Sequence, residues 1–271
     1  MRLAVRHTTR YHFRSPVAHG LQRLRLTPKE TQGQRVVDWR MSFEGAKEEL
    51  SYDDQNCNHV TLVSILPGTS DFVIHCEGTV ETSDQVGVIG RHAGHMPLWA
   101  FVNQTALTRP GPRMRAILSS VTVDRENSIG TLHGLSAAIL DSVGYETGHT
   151  HVGTSAEEAA ALGHGVCQDH SQIFIGLVRM LGIPARYVSG YLMMDDRVGQ
   201  EATHAWAEAC IDGLGWVGFD ISNGISPDAR YVRIATGRDY AEAAPVNGIT
   251  FGGAEQSLHI EIAVEQQSVE Q

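Results

Sequence analysis

Along the first third of the chain, apolar, β-branched and aromatic residues return at about every second position. The runs are LAVRHTTRYHF, LQRLRLTP, QRVVDWRMSF, NHVTLVSIL and DFVIHCEGTVET, with Gly, Pro, Asn and Asp between them. A period of two sends alternate side chains to one face, which predicts an antiparallel sheet or sandwich over residues 1 to about 85. Between 88 and 112 the Gly- and Pro-rich GVIGRHAGHMPLWAFVNQTALTRPGP keeps no period and marks a boundary. The expected division is a β-rich domain over 1–90 and a second domain, with C-terminal strands, over 91–271. From Met114 the spacing lengthens to three and four, in MRAILSSV and then in NSIGTLHGLSAAILDSVGY, where Ile129, Leu132, Leu135 and Ile139 share a helical face. TSAEEAAALG reads as a short helix capped by Thr154 with Glu157 and stopped by Gly163. The next helix begins at or just before Cys167 and runs to Gly182, with Pro184 barring continuation. After its first turn it has almost no polar face, so it is expected to be the buried centre of the second domain. Strand-like runs follow in ARYVSGYLM, THAWAEACID, GWVGFDI and YVRIAT, then the turn-rich GRDYAEAAPVNG and a last strand, SLHIEIAVE. The fold class expected is α+β, an N-terminal antiparallel β domain followed by a core whose central helix packs on an antiparallel sheet.

Composition narrows the partners. At 271 residues, 42% apolar and 19% charged, the chain can bury a real core. It carries 21 basic and 31 acidic groups, a formal charge of −10, which argues against nucleic acid or an anionic membrane as the main partner. No apolar run is long enough to span a bilayer. MRLAVRHTTRYHF lacks the unbroken apolar stretch of a secretory signal, so the cytoplasm is the expected compartment. Cys57, Cys76, Cys167 and Cys210 are too few and too scattered for a disulfide framework, although Cys57 and Cys76 could face each other on neighbouring strands.

The stretch GHGVCQDH raises the chemical question, because Cys167 stands at the mouth of a helix. It can be an apolar filler, a metal ligand with His164 and His170 (His149 and His151 lying close by), or a nucleophile. The metal set is weak: His164 precedes the helix, only Cys167 and His170 share a helical face, and no paired CxxC follows. No metal and no cofactor are expected. As a nucleophile the thiol needs its thiolate form, which a helix N-terminus favours, and a base oriented by a third group. His204 opens HAWAEACI and Asp220 ends GWVGFD, and Gly213 and Gly215 offer a hairpin turn that returns the second to the first. Asp212 and Glu208, nearer in sequence, sit toward the turn or further along the strand. Asp169 reads as a first-turn cap; Trp206, Trp216, Tyr187 and Tyr191 as core or cleft wall; Cys76 and Cys210 as core.

Helix-borne Cys, strand-borne His and Asp on the next strand resemble the transglutaminase-like superfamily within the papain-like thiol enzymes. The words that carry it are GVCQDHSQIFIGLVRMLGIPARYVSGYL, THAWAEACIDGLGWVGFDISNG and ATGRDYAEAAPVNGITFGG, behind an opening like that of bacterial transglutaminase-like proteins. The resemblance implies a papain-like core with Cys167 as nucleophile, His204 as base and acid, and Asp220 orienting the imidazole. It implies acyl transfer on a peptide or protein amide, as a peptidase, amidase, deamidase or transamidase. Many relatives have an aromatic residue where this chain has His170 and a proline where it has Ile221. Papain-type enzymes carry an oxyanion glutamine where this chain has Ala161. The backbone N–H of Cys167 can supply one oxyanion donor, and the second is unnamed. A catalytically quiet module of the same fold that binds a peptide or protein stays as the alternative class.

Overall fold

The computed structural model describes residues 1–194, 198–253 and 256–267. In chain order its strands are β1 (Arg2–Leu24), β2 (Gln34–Glu44), β3 (Ala46–Asp53), β4 (His59–Ile65), β5 (Thr69–Thr82) and β6 (Val88–Gly90). Helices α1 (Pro112–Ser119) and α2 (Ser128–Ser142) follow, then β7 (Gly144–Tyr145), α3 (Ala156–Leu162), β8 (His164–Gly165) and α4 (Cys167–Met180). The chain continues through β9 (Ala185–Leu192), β10 (Gly199–Gln200), β11 (His204–Ile211), β12 (Gly215–Phe219) and β13 (Tyr231–Gly237). It closes with α5 (Tyr240–Ala243), β14 (Val246–Gly252) and β15 (Gln256–Gln266).

Three layers result. The first sheet is built on β1, whose early half lies between β5 and β15 and whose late half lies between β4 and β14, all antiparallel. The second sheet runs β13-β9-β11-β12-β6. Its inner face carries Ala205, Ala207, Ala209, Val217 and Phe219 into one core with Ile173, Phe174 and Leu177 of α4 and with Leu132, Leu135 and Ile139 of α2. Its outer face gives Tyr191, Val232 and Ile234 to the core of the first sheet, among Leu3, Val5, Phe72 and Ile74. A sheet covered on both sides has no solvent face, and every residue of β9 and β13 is buried. The α+β class is therefore as expected, with α4 at the centre of the second core.

Several details differ from the sequence reading. The tail returns to the first sheet: β14 and β15 both pair with β1, while the short β6 joins the second sheet through β12. Pairing thus crosses the expected division near residue 90 in both directions. GRDYAEAAPVNG is only partly a turn, since it holds α5 and opens β14. The strand β3 was unmarked because AKEELSYD lies on a sheet edge with its side chains largely in solvent, so no alternation is imposed on it. The α3 cap is Ser155, with Glu158 closing the capping box, one position later than Thr154 and Glu157. Glu157 serves elsewhere, accepting the backbone N–H groups of Gly111, Arg113 and Met114 at the start of α1. Gly163 does end α3, at φ +74°. Cys57 and Cys76 are both free. Cys76 is buried on β5 opposite His7 and Met41, whereas Cys57 is exposed in the turn before β4.

Candidate active site

The N-terminus of α4 is fixed from within. Val166 precedes it and has no polar side chain to offer, so Asp169 Oδ2 accepts the Val166 N–H at 2.8 Å and the Thr150 hydroxyl at 2.7 Å. Asp169 is the cap that the sequence suggested. Upstream, β7 and β8 form a short parallel pair that leads the chain into the helix. Cys167 is left half-buried at the first helical position, where a helix has backbone N–H groups with no intrahelical acceptor.

The hairpin that should carry the other two groups forms as expected. Ala207 pairs with Phe219 and Ile211 with Gly215, turning through Gly213 and Gly215, both at φ +81°. Gly215 is required twice over, because a Cβ there would stand 2.1 Å from the Gly90 carbonyl oxygen of β6. His204 lies at the head of β11, and Asp220 follows directly on the end of β12. The structure brings them together: His204 Nε2 donates to Asp220 Oδ2 at 2.6 Å. That bond leaves Nδ1 unused by Asp220, and Cys167 lies close enough to His204 to help raise its pKa.

Asp220 is fully buried, and three further donors hold it. Tyr231 Oη and Asn223 Nδ2 each reach Oδ2 at 2.7 Å, and the Asn223 N–H reaches Oδ1 at 3.2 Å. A backbone bridge between Asp220 and Ile225 closes the loop that brings Asn223 back over the carboxylate. Burial pushes this carboxyl upward, but the bonds from His204, Tyr231 and Asn223 outweigh it and hold it below the usual carboxylate range. Burial likewise opposes charge on His204, yet Asp220 and Cys167 overcome it and raise its pKa from 6.5 to about 10. The imidazole therefore keeps its proton at neutral pH beside a sulfur atom. The two nearer acids are excluded by geometry: Asp212 is exposed at the turn, and Glu208 is consumed by Arg186 and Arg233.

The histidines of GHGVCQDH do not converge on the thiol. His170 is fully buried, Nε2 donating to the Val143 carbonyl at 2.9 Å and Nδ1 accepting from the Ser222 hydroxyl at 2.8 Å. Burial pushes its pKa down, so it is a neutral core imidazole with both nitrogens occupied. His164 and His149 stack at 5.3 Å between ring centres and face Glu146 at 3.2 and 3.1 Å. Among the described residues no three His, Cys, Asp or Glu side chains are arranged to hold a metal ion. Ala161 sits on α3 and has no polar group to offer. Trp206 and Trp216 are core residues, as are Tyr187 and Tyr191. Cys210 is only half-buried. Tyr231 and Asn223 escaped the sequence reading. YVRIAT reads only as a strand, and the one available hint was an Asn placed in a turn three residues beyond Asp220.

Models of two protein families match the chain, that of the transglutaminase-like superfamily over residues 115–221 and that of the bacterial transglutaminase-like N-terminal region over 3–81. An uncharacterized protein of Mycobacterium leprae is 27% identical over 276 residues, covering 97% of this chain and 98% of its own. One from Mycobacterium tuberculosis is 28% identical over 294 residues, covering 97% and 92%. The crystal structure of a protein from Cytophaga hutchinsonii, named as a candidate cysteine protease, superposes with a TM-score of 0.76 at 23% identity, covering 100% of this chain and 92% of that one. At that identity the likeness is one of fold.

Proposed function

We propose that the chain, which matches the model of the transglutaminase-like superfamily over residues 115–221 and that of the bacterial transglutaminase-like N-terminal region over 3–81, is a thiol-dependent enzyme that transfers an acyl group from a peptide or protein amide through a thioester on Cys167. The observation that supports this reading is the buried Asp220 carboxylate bound to one nitrogen of His204, an imidazole that also interacts with the half-buried Cys167 at the start of α4. In this reading the Cys167 thiolate attacks the amide carbonyl, and the developing oxyanion takes the N–H of Cys167 at the start of α4. His204, already protonated, gives its proton to the departing amine, and Asp220 keeps the ring oriented for that transfer. Water or a second amine then opens the thioester, with His204 accepting the proton of the incoming nucleophile. The first route makes a peptidase, amidase or deamidase, and the second a transamidase.

The acceptor is set by what reaches the thioester, so the experiment must catch that intermediate. Incubating the protein with a panel of glutamine-containing peptides and simple amides, followed by intact-mass and peptide mass spectrometry, is expected to reveal an acyl adduct on Cys167. Adding a primary amine would divide transamidation from hydrolysis by the product formed. No adduct from any amide, together with saturable binding of a peptide, would overturn the enzymatic reading in favour of a binding module.

A further inference from the structure

The two residues that hold Asp220 also form one side of a pocket that the proposed chemistry leaves unused. Asn223 and Tyr231, whose side chains both bond Asp220 Oδ2 at 2.7 Å, line an open pocket of about 390 Å³ together with Leu192, Met193, Met194 and Ile225. A non-hydrogen atom the size of water needs roughly 30 Å³, so a large side chain fits with the backbone beside it. The walls are anchored: Leu192 ends β9 opposite Tyr231 of β13, and the Met193 N–H donates to the Arg230 carbonyl at 3.0 Å.

The lining favours an apolar occupant. Leu192, Met194 and Ile225 form one small apolar cluster with Trp206 and Tyr231, and methionine side chains adapt to occupants of differing shape. The polar members are already committed, Asn223 donating to Asp220 and Arg230 holding Asp228 at 2.8 and 3.0 Å. Two contacts place the pocket relative to the reacting groups. The Tyr231 ring centre stands 6.0 Å from that of His204, and Asp220 bonds both His204 and Asn223. The pocket thus begins one side chain away from the imidazole, on its Asp220 flank. In the proposed reaction His204 gives its proton to the departing amine, so the amine half of the substrate lies toward the imidazole while the acyl half stays on Cys167.

We propose that this pocket is the subsite for the amine half of the substrate and takes a large apolar side chain, aliphatic or methionine-like, from the residue that leaves. The inference rests on the acyl-transfer reading and narrows its substrate class to amides whose amine carries such a group. An incoming amine replaces the departing one beside the same imidazole. The transamidation route would therefore draw its acceptor from the same class, a primary amine with an apolar chain.

N-alkyl iodoacetamides are the probe: the Cys167 sulfur displaces iodide, and the alkyl group sits on the amide nitrogen, the amine half of the molecule. In the full-length wild type, alkylation of Cys167 read by peptide mass spectrometry should quicken about threefold for each methylene added from methyl to butyl and saturate at high reagent. Met194→Glu, which sets a charge in the wall, should abolish that gain. Since this variant can fail to fold, N-butylacetamide titrated into Cys167→Ser protein with isotope-labelled methionine methyl groups gives a second reading: saturable shifts of the Met193 and Met194 resonances are expected. Equal rates for the methyl and butyl reagents, a gain that survives in folded Met194→Glu, or shifts confined to other methionines would each overturn the proposal. Failure of the acyl-transfer reading looks different: a Cys167 that no reagent of the series alkylates, with the Met193 and Met194 shifts intact, would remove the chemistry and support the apolar pocket alone.

Discussion

Strand β11 carries two buried polar groups on one face, four residues apart, that end very differently. Glu208 meets Arg186 and Arg233, and its carboxylate is spent entirely within the protein. His204 meets Asp220, itself saturated by Tyr231 and Asn223, but the imidazole has a second nitrogen that Asp220 does not use, and Cys167, with which it interacts, is only half-buried. The first arrangement closes on itself and ties β9, β11 and β13 of the second sheet together. The second is closed on every side except one, and the open side is where chemistry can enter. Burial and a dense hydrogen-bond network therefore do not distinguish structure from function here; what distinguishes them is whether the last partner in the chain can be reached from solvent.

That contrast can be broken at either end. The largest effect belongs to Cys167→Ser, which should abolish the acyl adduct and the fast iodoacetamide-labelled site together, with an unchanged circular dichroism spectrum. Labelling that instead favours Cys57 or Cys210 would remove the basis of the comparison. His204→Ala should follow, slowing alkylation of Cys167 at neutral pH by about a hundredfold, the lower range for loss of a positioned base. At the closed end, Glu208→Gln should cost on the order of 3–5 kcal/mol in urea unfolding, because two guanidiniums lose a buried partner. The alkylation rate of the molecules that remain folded should stay within about twofold of wild type, since Glu208 bonds neither Cys167 nor His204.

Asp220→Asn sharpens the comparison through pH. A histidine raised from 6.5 to about 10 contributes stability that is complete below its ordinary value and drains away as pH climbs through the raised one. Wild-type unfolding free energy should accordingly fall between about pH 6.5 and 10, and Asp220→Asn should flatten that slope. The variant should also slow alkylation of Cys167 by about tenfold, less than His204→Ala, because it disturbs orientation and leaves the base in place. The smallest effect is expected from Tyr231→Phe, which removes one of several donors to Asp220: about 1 kcal/mol of stability and a change of a few-fold in alkylation rate.

What the sequence disclosed follows the same division. Alternation in β1, β4 and β5 and the all-apolar body of α4 were legible, because each has a simple relation to one core. Cys167, His204 and Asp220 were legible as a spaced set of reactive types joined by a turn with two glycines. Tyr231 and Asn223 were not, since nothing in the local pattern of a strand or a loop says which distant carboxylate it will touch. His170, weighed beside Cys167 as a metal ligand and set aside, is turned by the helix into the core, where Val143 and Ser222 take both nitrogens. The destination of β14 and β15 was hidden too, because alternation identifies a strand without naming its neighbour.

That destination matters for how the chain is made. Residues 3–13 of β1 pair with 256–266, so this strand is flanked by one synthesised much later. Until β15 emerges, the early half of β1 has only β5 beside it and offers an unpaired edge to any other strand nearby. Closing so long a loop is slow, and contacts this distant in sequence put the folding of the first sheet late. A nascent chain therefore completes its first sheet only after β15 has emerged, and a chain cut short before Gln256 would leave β1 open along the edge that β15 covers.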